Sequence, residues 1–141
     1  MKQVSTPFAT SVRNRDSAPV INAAAYYVKV SQLVSLTKHG GIAVVTIDNP
    51  PVNALSPGVV EGIRDRVLEA VADAAVAAVV VMGAGSTFIA GADIREFAKV
   101  AAGGRLELNL ADAVREMEDA TKPVVMALHG TALGGGLEVA M

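Results

Sequence analysis

Glu138 stands directly behind a glycine triplet, Gly134, Gly135 and Gly136, and Leu137 to Met141 reads as the opening of a helix. Just upstream, Val124 to Leu128 is an apolar, β-branched run with the pattern of a buried strand. Glycines between a strand and a helix let the backbone turn sharply and keep side chains out of a ligand's way. The first N–H groups of such a helix are unpaired and point outward, and the helix dipole adds positive potential there. That place suits negative charge, permanent or developing. With Glu138 one turn in, the chemistry offered is an oxyanion hole beside a general acid/base. The same residues equally fit a helix-start glutamate, favoured by the dipole, behind a flexible loop.

The gross properties narrow the classes. The 141 residues are enough for one domain with a real core. Apolar residues make up 52% and charged residues 18%, a globular balance. A net charge of −2 offers no basic field, so neither nucleic acid nor an acidic membrane is an expected partner. No apolar run approaches the ~20 residues of a membrane span. Cysteine is absent, which removes disulfides, thiolate metal sites and cysteine nucleophiles and fits a reducing compartment. His39 and His129 are the only histidines, so no multi-histidine metal site is expected.

The elements that must position Glu138 begin near Val34. Residues 1–33 differ in character from the rest of the chain: Lys2, Arg13, Arg15 and Lys29 face only Asp16, a transit-peptide-like balance without a clear amphipathic helix. A non-native or misassigned extension is the preferred account. Ser35 to Ile42 reads as an edge strand and a Gly40-Gly41 turn, with His39 exposed. Ile42 to Ile47 is apolar on both faces, as in the middle of a covered sheet. Asp48 to Leu55 must be loop, because Pro50 and Pro51 forbid regular structure.

Ser56-Pro57 reads as an N-cap with proline at the first helical position. Val60, Ile63, Val67 and Val71 then mark a buried stripe, with Glu61, Arg64, Asp65 and Glu69 as a solvated face. Val76 to Met82 reads as a buried strand, followed by a loop through Phe88 and a helix start at Asp93. Ala98 to Leu108, with Gly103-Gly104 inside it, reads as a flexible connection. Leu110, Val114 and Met117 mark a second long helix that ends before Pro123.

Strands alternating with helices predict parallel pairing and an α/β layered fold. Loops after parallel strands gather at one edge, which brings Ala90 to Asp93 beside the glycine triplet. Two N–H donors from separate loops can then hold one oxygen. Other motifs fail. Gly83-Ala-Gly-Ser-Thr-Phe88 has phenylalanine where a dinucleotide fingerprint needs its third glycine, and reads better as a tight turn. There is no phosphate-loop lysine, no Gly-x-Ser-x-Gly and no His-Glu-x-x-His. His129 fits a packed residue bonded to backbone more readily than a residue facing the site.

Three segments together resemble the enoyl-CoA hydratase/isomerase (crotonase) family: Asp48-Asn-Pro-Pro-Val-Asn-Ala-Leu-Ser56, Phe88-Ile-Ala-Gly-Ala-Asp-Ile-Arg-Glu96, and Lys122 to Glu138. The flavour is that of the amino-terminal part of multifunctional fatty-acid β-oxidation enzymes, and the likeness covers Val34 to Met141. It implies a spiral of ββα units forming two nearly perpendicular sheets, in a trimer-based homo-oligomer. It also implies an acyl-CoA thioester as substrate, with no cofactor beyond the coenzyme A that the substrate carries. By this likeness the amides of Ala92 and Gly135 form the oxyanion hole, and Glu138 is the first of two glutamates that handle water and proton. Val52, Ala54, Leu55, Ala90, Asp93 and Ile94 match loops along coenzyme A, although each also fits plain packing of loop onto core. A cytoplasmic, bacterial-type setting is implied, with mitochondrial or peroxisomal as the alternative.

The likeness breaks where the chain ends. The family's second glutamate falls beyond Met141, and the terminal helix stops in mid-pattern without a cap signal. The expectation is a front half of a hydratase domain, with little or no turnover alone. A Δ3,Δ2-enoyl-CoA isomerase, or a non-catalytic remnant that only associates with family members, are the other readings.

Overall fold

The computed structural model describes residues 32–105 and 109–141. The extension expected over residues 1–33 therefore lies, but for its last two residues, outside the described residues. Strands β1 (Val34–His39) and β2 (Ile42–Ile47) form an antiparallel hairpin, and Gly40 makes the turn at φ +61°. Helix α1 (Pro57–Ala72) crosses to β3 (Ala78–Gly83), which lies parallel to β2. Helices α2 (Ile94–Ala101) and α3 (Leu110–Glu118) precede β4 (Val124–Ala127), which lies parallel to β3. Helix α4 (Gly135–Ala140) comes last, and the strand order is β1-β2-β3-β4.

The core forms where alternate strand residues meet the apolar stripe of α1. Val34, Ala43, Val45, Ile47, Val79 and Val81 come from the sheet, and Val59, Val60, Ile63, Val67 and Ala70 from the helix. β-Branched residues suit the strands because their side chains pack well on a pleated surface. Helix α3 lies alongside α1 and adds Ala113 and Met117 to the same cluster. Phe88, Ile89 and Val139 extend that cluster under the loops after β3 and β4.

Several expectations are corrected. Ala98 to Ala101 is helix rather than connection, because Asp93 caps α2 through its side chain and the helix carries on until Gly103, at φ +89°. β2 is buried on one face only: Ala43, Val45 and Ile47 are covered, while Ile42 is 38% exposed. β4 is an edge of the described sheet, with Val125 and Leu128 each 53% exposed. Val76 precedes β3 rather than opening it. Its amide donates to the Asp73 carbonyl, and the Asp73 carboxylate accepts from the Ala75 amide in the turn after α1. The charged face of α1 is not simply solvated, because α3 lies beside it. Arg64 sits 3.0 Å from Asp65 and 3.8 Å from Glu116 of α3.

Ile63 is 1% exposed, whereas Leu68 on the opposite side of the same helix is 43% exposed. Ile63→Ala therefore lowers unfolding free energy by about 2–5 kcal/mol, and Leu68→Ala by about 0.5 kcal/mol or less. Chemical denaturation monitored by circular dichroism measures both.

Candidate active site

The loops after β2, β3 and β4 continue the sheet as a narrow parallel ladder. The Ala90 amide donates to the Val52 carbonyl at 3.1 Å, the Leu55 amide to the Gly91 carbonyl at 2.8 Å, and the Asp93 amide to the Leu55 carbonyl at 2.9 Å. On the other side of the middle loop, the Phe88 amide donates to His129, the Ile89 amide to Thr131, and the Leu133 amide to Ile89. Isolated bridges pair Leu55 with Ala92 and Ile89 with Ala132. The convergence expected from topology is thus made by specific hydrogen bonds.

These bonds dictate where two amides point. In a trans peptide the N–H lies opposite the C=O of the same plane. The Gly91 carbonyl faces the loop after β2, so the Ala92 N–H points away from that loop. The Gly134 carbonyl accepts from the Leu137 amide at 2.9 Å and the Glu138 amide at 3.1 Å, inside the first turn of α4. The Gly135 N–H accordingly points out of the helix. Among the described residues neither N–H donates a hydrogen bond. Leu55 connects the two places: it bridges Ala92, and a Cβ at Gly135 would lie 2.9 Å from Leu55 Cδ1.

The glycine triplet is explained position by position. Gly134 takes φ +50°, and Gly136 is pressed against the Ile89 carbonyl with no room for a Cβ. The helix starts at Gly135, inside the triplet rather than after it. Glu138 is exposed and lines a cavity of about 660 Å³ bounded by α3, β4 and α4. Met117, Glu118, Lys122 and Met126 share that lining; Ala92 and Gly135 do not.

The six loop positions separate into two groups. Leu55 is 1% exposed and Asp93 5% exposed, so their side chains belong to the interior. Val52 (41% exposed) and Ile94 (80% exposed) present apolar side chains to solvent, and Ala54 and Ala90 are half-buried. Asp93 accepts from the Arg95 amide and pairs with the Arg95 guanidinium at 2.6 Å. The Arg95 hydrogen bond holds the Asp93 carboxyl below its usual 3.8, and burial opposes that shift. His129 is a packed residue: Nε2 lies 3.2 Å from the Gly85 carbonyl and Nδ1 3.4 Å from that of Ala127.

Asn53 is a site-building residue that its sequence neighbours concealed. It is 3% exposed and has φ +51°, and its carboxamide joins the loops after β2 and β3. The available signal was its type, since asparagine tolerates left-handed backbone and bonds locally in turns.

A family model described as enoyl-CoA hydratase/isomerase matches residues 37–141. A peroxisomal fatty acid beta-oxidation multifunctional protein of Oryza sativa subsp. japonica is 45% identical over 106 residues, covering 72% of this chain and 14% of that protein. A probable enoyl-CoA hydratase of Bacillus subtilis is 40% identical over 112 residues, covering 77% of this chain and 43% of the relative. The crystal structure of an enoyl-CoA hydratase/carnithine racemase from Magnetospirillum magneticum superposes with a TM-score of 0.68 at 32% identity, covering 77% of this chain and 43% of the other. The chain thus spans less than half the length of these relatives.

The Asp93–Arg95 geometry yields a pH prediction. A carboxyl whose folded-state pKa lies below its unfolded value stabilises the fold above the unfolded value. That contribution fades as pH falls through the folded one. Asp93→Asn should therefore melt below wild type at neutral pH, and the gap should close as pH drops below 3.8. Thermal melts of both proteins across that range measure it.

Proposed function

The chain belongs to the enoyl-CoA hydratase/isomerase (crotonase) family and has its α/β fold over the part it spans; we propose that it carries the thioester-oxygen site of an enoyl-CoA hydratase. One observation carries the reading. Two backbone N–H groups, Ala92 on the loop after β3 and Gly135 at the first residue of α4, have no acceptor among the described residues.

The chemistry depends on where charge develops. When water adds to the β-carbon of a 2-trans-enoyl thioester, the electron pair of the double bond moves toward the carbonyl, and negative charge gathers on the thioester oxygen. Donors already in place stabilise that oxygen more than the neutral carbonyl, which lowers the barrier rather than merely tightening binding. Ala92 and Gly135 supply those donors. Glu138 takes up the proton that the attacking water loses, and a proton is delivered to the α-carbon on the same face. Syn addition then gives the 3-hydroxyacyl thioester. Val52 and Ile94, exposed and apolar, offer contact to coenzyme A, together with the half-buried Ala54 and Ala90. Leu55 and Asp93 act from the interior by holding the loops. A Δ3,Δ2-isomerase would use the same oxygen site with Glu138 alone moving a proton, and conversion of 3-enoyl thioesters distinguishes it.

Loss of the conjugated-thioester absorbance of crotonyl-CoA tracks the reaction. The 141-residue chain should show little or no turnover, while still binding the thioester. In a longer protein that includes this segment, Glu138→Gln should lower hydration by about 10²–10⁴-fold. Undiminished hydration by that variant would remove Glu138 from the chemistry.

A further inference from the structure

We propose that Asn53 is a positioning residue that sets the direction of the Ala92 amide. This inference rests on the oxygen-site reading above. Every polar group of the Asn53 carboxamide is engaged: Oδ1 accepts from the Asn49 amide at 2.9 Å, and Nδ2 donates to the carbonyls of Ala84 at 3.0 Å and Thr87 at 2.8 Å. The amide orientation is dictated by chemistry, because its oxygen meets an N–H and its nitrogen meets two carbonyls. The backbone of Asn53 also donates to the Asn49 carbonyl and stands at φ +51°.

The consequence reaches Ala92 in two steps. Nδ2 pins the middle loop at Ala84, where it begins, and again at Thr87. Two residues beyond Asn53, Leu55 holds the other end of that loop through the Gly91 carbonyl and the Asp93 amide. The peptide joining Gly91 to Ala92 is thereby held from one side only, and its N–H faces the other. Other residue types meet only part of this requirement. Aspartate tolerates the left-handed backbone but presents an acceptor to two carbonyls, and glycine keeps the backbone but loses all three bonds. The space is also closed, since a Cβ on Gly83 would lie 2.9 Å from Asn53 Nδ2.

The test compares Asn53→Asp and Asn53→Gly with Val67→Ala, a core change on α1 that lies outside the loop ladder. Hydrogen exchange is read first, without ligand. The expected result is that the Asn53 variants speed exchange at the Leu55 and Asp93 amides by at least about 10-fold beyond any change in β2 and α1. Val67→Ala should raise exchange without singling out those two amides. A para-dimethylaminocinnamoyl thioester of coenzyme A is then added; its absorption moves to the red when its carbonyl oxygen is hydrogen-bonded. Wild type and Val67→Ala should show the red shift at saturation, and the Asn53 variants should lose most of it. No shift in wild type would sink the oxygen-site reading, while the exchange data would still judge Asn53. Uniform exchange changes, an undiminished shift in the Asn53 variants, or failure of both to fold would overturn the inference.

Discussion

The planar trans peptide is the constraint on which the site depends. A carbonyl bonded on one side forces the N–H of the same plane to the other. At Gly91 the bond is to Leu55; at Gly134 it is to the first turn of α4. Both carbonyls are taken up in ordinary structure, and both partner amides are thereby presented outward. Orphan donors cost free energy when they are buried. Here Ala92 and Gly135 are only partly covered, so water can serve them until a better acceptor arrives.

This arrangement needs the sheet beneath it. Parallel pairing of β2, β3 and β4 sends three loops to one edge, where ligands of open α/β sheets commonly bind. The core of α1 against β1, β2 and β3 supports that edge from one side. Among the described residues the buried polar side chains, Asn53, Asp93 and Glu96, are in or next to these loops, and each has a partner. Buried polar groups are tolerated when satisfied and then restrict the backbone to one arrangement. Here Asp93 caps α2, and Asn53 joins the loop after β2 to the loop after β3.

The carboxylate and the Gly135 amide share one short helix, with Glu138 three residues beyond Gly135. Glu138 opens onto the cavity between α3, β4 and α4, whereas Ala92 and Gly135 belong to the ladder rim around Leu55. Helix α4 is the link, because it holds Gly135 at its first residue and Glu138 one turn later. Any displacement of α4 therefore moves donor and carboxylate together. Gly136 resists such movement through its close contact with Ile89 of the middle loop.

The elements and the neighbourhood of the site are legible in the linear pattern of residues. The 3.6-residue spacing of Val60, Ile63 and Val67, the prolines after Ile47, and the apolar runs of β2, β3 and β4 are local signals, and local signals survive without a partner. They suffice to predict parallel strands with the Ala90–Asp93 loop beside the glycines. Which side chains turn inward and which stay exposed is settled by packing. Leu55 and Asp93 turn inward, Val52 and Ile94 remain outside, α2 extends past Ala98, and Asn53 holds two loop positions that lie 31 and 34 residues away from it in the chain. The reason is physical: burial and long-range hydrogen bonds depend on what packs against a residue, and a one-dimensional pattern does not contain that neighbour.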